Sequence, residues 1–392
     1  MFSNKNIESS NLVFDQNALG RIKDHVLQDI NKEKYDGARI LVAHKGNVTL
    51  DLTLGFADRE KKQELKPDAI FSIMSISKVM TAIGLLRCIE RGEISLLTPI
   101  CHVIPEFAMR GKERVTVGQV ITHMAGLGMA QPPMPIEDLG TLEKSIAVIC
   151  QLPLDSSPGE TVAYSAMTGF TILAEIVKRL DAKKRPLRKI MQDEVFEPLG
   201  MTDTSYGFNS AKASRRVPVI VRDSDAPELN RKFLADRDKA IKEDTELPSG
   251  GGTFSTAQDI LRLGETLRLG GTYNGHQVLS PLMVHAMTQN QTGDKPNGMM
   301  VSSRALHGMA PFPAFLGLGV FVRGEGIFPG HMPFLGSPQT FGGWGLGSMA
   351  FWVDPVQEVT FVALTAGIVE RIRSHIRFQI IGDMVLSSLV SK

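Results

Sequence analysis

Cysteine is scarce in this chain, and its placement excludes two classes of small, cross-linked protein. The 392 residues include only three cysteines, Cys88, Cys101 and Cys150, and no two of them stand in Cys-x-x-Cys spacing. Neither a disulfide framework nor a cysteine-bound zinc site is therefore predicted. The histidines are scattered without the spacing of metal ligands, so we expect no metal and no cofactor.

The sequence also lacks an excess of charge of either sign and any long hydrophobic run. Its 43 Lys and Arg residues oppose 42 Asp and Glu residues, which leaves a net charge of +1. This balance offers no attraction to nucleic acid or to an anionic membrane surface. Short mixed clusters such as Arg231–Lys242 are interpreted as solvated surface. No apolar run reaches the roughly 18 residues of a membrane span and no apolar signal segment opens the chain, so we expect a cytoplasmic protein.

A third absence concerns catalytic motifs. Gly-x-Ser-x-Gly occurs nowhere, which argues against the Ser-His-Asp arrangement of α/β-hydrolases. The chain does contain one Ser-x-x-Lys, Ser75-Ile76-Ser77-Lys78, where an extended segment gives way to a helical pattern. Residues three apart share a helix face, so Lys78 would stand beside the Ser75 hydroxyl. A neighbouring amine can make a serine nucleophilic without histidine.

Two further features favour a catalytic site over a simple helix cap. Ser75 at a helix start would have an unpaired N–H, able to stabilise an oxyanion on an attacked carbonyl. Tyr164 follows Ser157-Pro158-Gly159-Glu160 and precedes a helical pattern. It therefore lies at a loop-to-helix junction, where a phenol can point into a cleft.

The order of the elements predicts an α+β fold. Strand patterns lie near both ends, as a hairpin of 38–43 and 48–54 and as Leu318–Val322, Met349–Val353 and Val359–Ala366. Helical patterns cover 16–33, 78–92, 117–124, 141–151, 166–180, 256–269 and 369–389. We expect one antiparallel sheet built from both termini and flanked by helices, with residues 1–85 and 300–392 forming a discontinuous sheet domain. Residues 86–299 would form a mostly helical domain, with the active site in the groove between the two.

These motifs together resemble the serine β-lactamase and penicillin-binding-protein superfamily, and within it class C β-lactamases and family VIII carboxylesterases. The resemblance runs from about residue 36 to 366, in the family's order and spacing. Its stretches are Gly55-Phe56-Ala57-Asp58-Arg59, Phe71 to Lys78, Ile121 to Leu127, Pro158-Gly159-Glu160 with Tyr164-Ser165, Glu197 to Met201, Ser249 to Gly252 with Ser255-Thr256-Ala257, Leu316 to Gly319, and Trp352-Val353-Asp354-Pro355. It implies a β-lactamase/transpeptidase-like fold.

The resemblance also implies the roles of the candidate residues. Ser75 would be the nucleophile that becomes acylated, Lys78 would help to take its proton, and Tyr164 would relay protons to the leaving group and later activate the acceptor. Which of the last two is the base stays open, because a free lysine or tyrosine has a pKa near 10. His123, in a Thr-His-x-x-Gly stretch, is predicted to be structural.

Two departures from the family pattern bear on the substrate. Tyr164-Ser165-Ala166 replaces the Tyr-x-Asn of class C enzymes, and no Lys-Thr-Gly or His-Thr-Gly is present. In its place stands the glycine-rich segment 340–347, similar to that of the esterases and of the lovastatin-type acyltransferase. We assign Trp344 and Gly345, together with the N–H of Ser75, to oxyanion and substrate binding. The missing lysine would otherwise bind a substrate carboxylate, so a neutral acyl substrate is expected.

The sequence thus predicts a serine carboxylesterase that cleaves small-molecule esters or thioesters of short to medium acyl chains through an acyl-Ser75 intermediate. One alternative is an acyltransferase that passes the acyl group to an alcohol or amine. Others are a β-lactamase or D-amino-acid peptidase, and a non-enzymatic sensor on the same scaffold. The Met- and Phe-rich segment 299–315 is predicted to be core or, as an alternative, the lining of an acyl pocket. Oligomeric state has no signal in the sequence.

Overall fold

A computed structural model of the protein describes residues 12–128, 134–223 and 230–391. The opening residues, which underlie the prediction that no signal segment is present, lie outside this description. The strands are β1 (Leu12–Phe14), β2 (Gly37–His44), β3 (Asn47–Asp58), β4 (Gln63–Glu64), β5 (Phe71–Ser72), β6 (Ser205–Tyr206), β7 (Thr253–Ser255), β8 (Thr272–Tyr273), β9 (His276–Gln277), β10 (Phe321–Val322), β11 (Phe341–Gly345), β12 (Met349–Asp354), β13 (Val359–Ala366) and β14 (Leu389–Ser391). The α-helices are α1 (Gln16–Asn31), α2 (Ser77–Glu90), α3 (Val117–Ile121), α4 (Leu142–Gln151), α5 (Gly169–Leu180), α6 (Leu187–Met191), α7 (Arg231–Ala240), α8 (Ala257–Arg268), α9 (Pro281–Met287), α10 (Val301–Leu306) and α11 (Arg371–Leu386).

The main sheet has seven strands in the order β10-β11-β12-β13-β2-β3-β4, and its neighbours pair antiparallel. Strand β13 from the end of the chain pairs with β2 from the beginning. The predicted α+β class and the sheet built from both termini are therefore confirmed.

Both faces of this sheet are covered, which explains why its central strands are apolar throughout. All eight residues of β13 are buried. Because side chains alternate across a strand, Phe361 and Ala363 pack with residues of α1 and α11, whereas Val362 and Leu364 pack with residues of α2 and α8. The second of these layers continues into α3, α4, α5 and α6, so the Ser75 segment lies between the sheet and the helical region.

Helix α8 falls within the 86–299 segment that the sequence assigns to the helical domain, yet it packs against β12, β13 and β2. The division of the chain at residues 85 and 300 stays a prediction.

Two predicted elements are shorter than expected because the backbone turns. The strand predicted at Leu318–Val322 is reduced to β10, since Gly317 N–H bonds the Val320 carbonyl and Gly319 has a φ of +82°. A Cβ on Gly319 would lie 2.4 Å from the Cβ of Ala82. The helix predicted over 117–124 ends at Ile121, and His123 adopts a φ of +57°. Among the described residues, no helix is long and apolar enough to cross a bilayer.

Candidate active site

Ser75 lies in a tight turn between β5 and α2. The turn is a 3-10 helix, Met74–Ile76, and Met74 at its start has a φ of +48°. Left-handed backbone is unfavourable for a non-glycine residue and persists only where its surroundings enforce it. Here the Ser77 hydroxyl donates to the Met74 carbonyl at 2.7 Å, and the Met74 side chain is buried. The turn places Ser75 two residues before Ser77, the first residue of α2.

Lys78 on the first turn of α2 lies beside the Ser75 hydroxyl, as the spacing predicts. Its Nζ is 3.1 Å from Ser75 Oγ and donates to the Ala166 carbonyl oxygen at 2.9 Å. The side chain is buried, and in the described part of the chain no carboxylate pairs with it. Burial, helped by the positive charge of Arg237, lowers the pKa of Lys78 to about 7. A substantial fraction of this amine is thus neutral at physiological pH.

Tyr164 closes the other side of Ser75. Both residues line the same two cavities, and the Lys78 Nζ is 5.1 Å from the centroid of the Tyr164 ring. Burial raises the pKa of Tyr164 to about 12, although the Ser75 hydroxyl and Arg371 partly oppose this rise. The phenol therefore keeps its proton at neutral pH.

His123 holds the Tyr164 segment in place, which the sequence did not reveal. Its carbonyl accepts from Ala163 N–H at 2.9 Å, and its Nδ1 accepts from Ser165 N–H at 3.1 Å. The imidazole also packs on the Tyr164 ring, with 4.3 Å between centroids. Burial and the nearby Lys78 lower the pKa of His123 well below its usual value, so the ring is neutral. His123, which the sequence predicts to be structural, therefore contacts Tyr164 directly.

The hydrogen bonds between β12 and β13 determine which way the backbone N–H groups of β11 face. Thr365 N–H donates to the Ser348 carbonyl at 2.8 Å, which makes Met349 and Leu364 a non-hydrogen-bonded pair of β12 and β13. Met349 therefore directs its own N–H and C=O toward β11, where it faces Gly345. The N–H of Gly345 accordingly points into the sheet.

The backbone N–H of Trp344 then points away from β12, toward the edge of β11 where β10 lies, because N–H directions alternate along a strand. On that edge β10 pairs Phe321 with Gly342 and does not extend to Trp344. The N–H of Trp344 is thus the candidate second oxyanion donor. Gly345 contributes by its lack of a side chain, since a Cβ there would lie 2.6 Å from the Ile73 carbonyl oxygen. Strand β11 can therefore lie directly beside the Ser75 turn.

A cavity opens at Ser75, beside Tyr164 and Trp344. Its lining is mostly apolar and comes from the turn, the Tyr164 segment, α7 and the end of β11. The lining residues are Met74, Ser75, Tyr164, Ala166, Met167, Asn230, Phe233, Leu234, Arg237, Gly250, Met299, Trp344, Leu346 and Arg371. Met299 of the Met- and Phe-rich segment reaches this cavity, whereas Phe312 lines a neighbouring one.

The interpretation of Arg231–Lys242 as solvated surface is wrong for Arg237, which is buried. Only 6 % of this residue is exposed, and its guanidinium lines the cavity of Ser75. The rest of α7 is largely polar, so composition alone hid the one arginine that faces inward. A helical projection that placed Arg237 on the face of Phe233 and Leu234 was the signal available.

The Ser75 turn, the buried Lys78 and the antiparallel sheet together form a β-lactamase/transpeptidase-like fold, and comparison places the chain in a family. The family model described as Beta-lactamase matches residues 22–372, so the chain belongs to the Beta-lactamase family. It is 30% identical over 271 residues to "Esterase EstB" of Burkholderia gladioli, a match that covers 62% of this chain and 68% of that esterase.

Solved structures agree with this fold. A family VIII carboxylesterase superposes with a TM-score of 0.77 at 21% identity, over 95% of this chain and 97% of that one. EstCE1, described as a hydrolase with promiscuous acyltransferase activity, superposes with a TM-score of 0.74 at 22% identity, over 94% of this chain and 99% of that one. The predicted family resemblance is thereby confirmed, and esterases are among the relatives.

Proposed function

We propose that the protein is a carboxylesterase that cleaves small-molecule esters of short to medium acyl chains through an acyl-Ser75 intermediate. The observation that carries the proposal is the buried Lys78 amine, 3.1 Å from the Ser75 hydroxyl and in a surrounding that lowers its pKa to about 7. The relationship to EstB supports an ester as the substrate. The largely apolar cavity at Ser75 fits an acyl chain.

The first half of the reaction forms the acyl-enzyme. Ser75 Oγ attacks the ester carbonyl carbon while its proton passes to neutral Lys78, and the N–H groups of Ser75 and Trp344 stabilise the oxyanion. When the C–O bond to the alcohol breaks, the Tyr164 phenol protonates the leaving oxygen and Lys78 returns its proton to Tyr164. Water then attacks the acyl-Ser75 carbonyl by the reverse route, which releases the carboxylic acid and restores the serine.

Intact-protein mass spectrometry during turnover of a 4-nitrophenyl ester tests this proposal. We expect a burst of nitrophenol, together with a mass increase equal to the acyl group that peptide mapping places on Ser75. Absence of turnover, or an adduct on another residue, would exclude the mechanism.

The pH dependence follows from the state of Lys78. Protonated Lys78 cannot accept the serine proton, so kcat/KM should rise with pH through an apparent pKa of about 7 and then level off. One pH unit below that midpoint the rate should be about a tenth of the plateau. Initial rates with an ester between about pH 5 and 9 measure the profile. A flat profile, or one that falls with pH, would show that Lys78 is not the base.

Tyr164→Phe should slow turnover of esters with poor leaving groups, because only a protonated phenol can protonate the departing alkoxide. We expect about a hundredfold loss of kcat with an alkyl ester and a smaller loss with a 4-nitrophenyl ester, whose leaving group needs no proton. The conservative variant keeps the ring that packs on His123. An equal loss with both esters would point to a packing role for Tyr164 instead.

Acyl transfer to an alcohol is the second candidate, favoured by the apolar cavity and by the fold shared with EstCE1. Product analysis with and without an acceptor alcohol separates the two, since transfer yields a new ester and hydrolysis yields only acid. Turnover of nitrocefin at rates comparable with esters would instead favour a β-lactamase.

A further inference from the structure

Arg237 is a buried cation that forms no ion pair with any acid in the described part of the chain. Its guanidinium lies 3.4 Å from the Met74 sulfur, through Nη2, and 5.5 Å from the centroid of the Phe233 ring. Neither neighbour carries charge. Within the described ranges, no Asp or Glu side chain forms an ion pair with Arg237.

The two acids that flank Arg237 in the chain are already engaged, and Asp236 accepts a hydrogen bond from Lys232 at 2.5 Å. Asp238 accepts a hydrogen bond from Arg216 at 2.7 Å, and the Arg216 guanidinium also lies over the Phe208 and Phe254 rings. Arg216 is therefore paired with an acid, whereas Arg237, one residue from that carboxylate, lines the cavity of Ser75.

An uncompensated buried charge is unfavourable, because the guanidinium loses water and gains no counter-charge. Burial lowers the pKa of Arg237 to about 10, a fall that the negative charge of Asp238 partly opposes, so the guanidinium keeps its charge at neutral pH. A second guanidinium, that of Arg371, lines the same cavity from the start of α11. Among the residues that the structure describes, the lining of the Ser75 pocket contains two cations and no acidic side chain.

We propose that this pocket binds esters that carry a free carboxylate on an apolar body, with Arg237 as the residue that recognises the carboxylate. The inference rests on the proposed esterase function. A carboxylate can accept two parallel hydrogen bonds from one guanidinium, which fixes the substrate as well as attracting it. Arg237 would replace, from another element, the positive group that the missing Lys-Thr-Gly lysine supplies. The neutral substrate expected from the sequence is thereby revised.

Matched ester pairs test the carboxylate on either side of the scissile bond. One pair is mono-4-nitrophenyl adipate against 4-nitrophenyl hexanoate, and the other is 4-acetoxybenzoate against phenyl acetate. In at least one pair, wild type should prefer the acid at least tenfold in kcat/KM. Arg237→Gln should reduce that preference about 30-fold, because it leaves the carboxylate without its partner. The ratio within a pair cancels any effect of the substitution on Lys78.

The control variant is Arg231→Gln, which removes an exposed arginine from the same helix and should leave both ratios unchanged. Arg237→Lys keeps the positive charge but loses the two parallel hydrogen bonds of the guanidinium. Its preference for the acid should therefore lie between those of wild type and Arg237→Gln. No preference for the acid in wild type, or a preference that survives Arg237→Gln, would overturn the proposal while leaving the esterase function intact.

A binding measurement keeps the test independent of turnover. Calorimetry on a Ser75→Ala protein compares monomethyl adipate with dimethyl adipate, and adding Arg237→Gln should abolish the tighter binding of the mono-acid. Equal binding of the two esters would also overturn the proposal. If the wild-type protein turned over none of the esters but still bound the mono-acid more tightly, the esterase function would be excluded. Arg237 would then remain the proposed anion site. Thermal melts of each variant confirm that it is folded.

Discussion

Ser75→Ala is expected to lower kcat/KM for a 4-nitrophenyl ester by about a thousandfold or more, and to abolish covalent labelling by a fluorophosphonate. The reason is chemical, because alanine has no oxygen to form the acyl-enzyme and the remaining oxyanion donors act only on a slow attack by water. The substitution removes one atom from a turn whose hydrogen bonds are made by Ser77 and Ile73, so the fold should be unaffected.

A matched control is Ser157→Ala, which removes an exposed serine hydroxyl from the loop before Tyr164. We expect wild-type rates and full labelling from that variant. If Ser75→Ala kept full turnover, Ser75 would not be the nucleophile, and another residue would have to take that role.

Lys78→Met should have the second-largest effect, a loss of about a thousandfold in the rate of acylation. Methionine fills the same buried space with an apolar chain, so the base is removed while the packing under Tyr164 and Phe170 is largely kept. Stopped-flow measurement of the nitrophenol burst isolates this step from hydrolysis of the acyl-enzyme.

Lys78→Arg separates the two things that a lysine could supply. Arginine keeps a positive charge but does not lose its proton at accessible pH, so it cannot act as base. We expect it to be as inactive as Lys78→Met, with the pH dependence around 7 gone from both variants. Restored acylation in Lys78→Arg would mean that charge, and not proton transfer, is the contribution of Lys78. Replacing the exposed Lys66 with methionine provides the control for loss of a lysine.

The parts of the site that are local in sequence could be predicted. The three-residue step from Ser75 to Lys78 sets their relation where the 3-10 turn runs into α2, and the distance of 3.1 Å between Ser75 Oγ and Lys78 Nζ agrees with it. Hydrophobic periodicity and turn residues likewise predicted the ends of β12, β13, α1 and α11 to within a few residues. The strand expected at Leu318–Val322 was wrong over its first half, because glycines at 317 and 319 allow a turn that its apolar residues conceal.

Other parts depend on contacts between residues far apart in the chain. Whether Trp344 or Gly345 presents its N–H depends on the register between β11, β12 and β13. The charge state of Lys78 depends on burial by the Tyr164 and Ala166 segment, and on Arg237 from α7. No local pattern encodes those distances.

The sequence by itself determined the fold class, the family and the identity of Ser75, Lys78 and Tyr164 as candidates, because motif spacing and hydrophobic period are properties of neighbouring residues. Only the tertiary structure favours Lys78 over Tyr164 as the proposed base, since burial lowers the pKa of Lys78 and raises that of Tyr164. The tertiary structure also showed that Arg237 lines the pocket and is not a surface charge, because the packing of α7 determines which of its faces is buried.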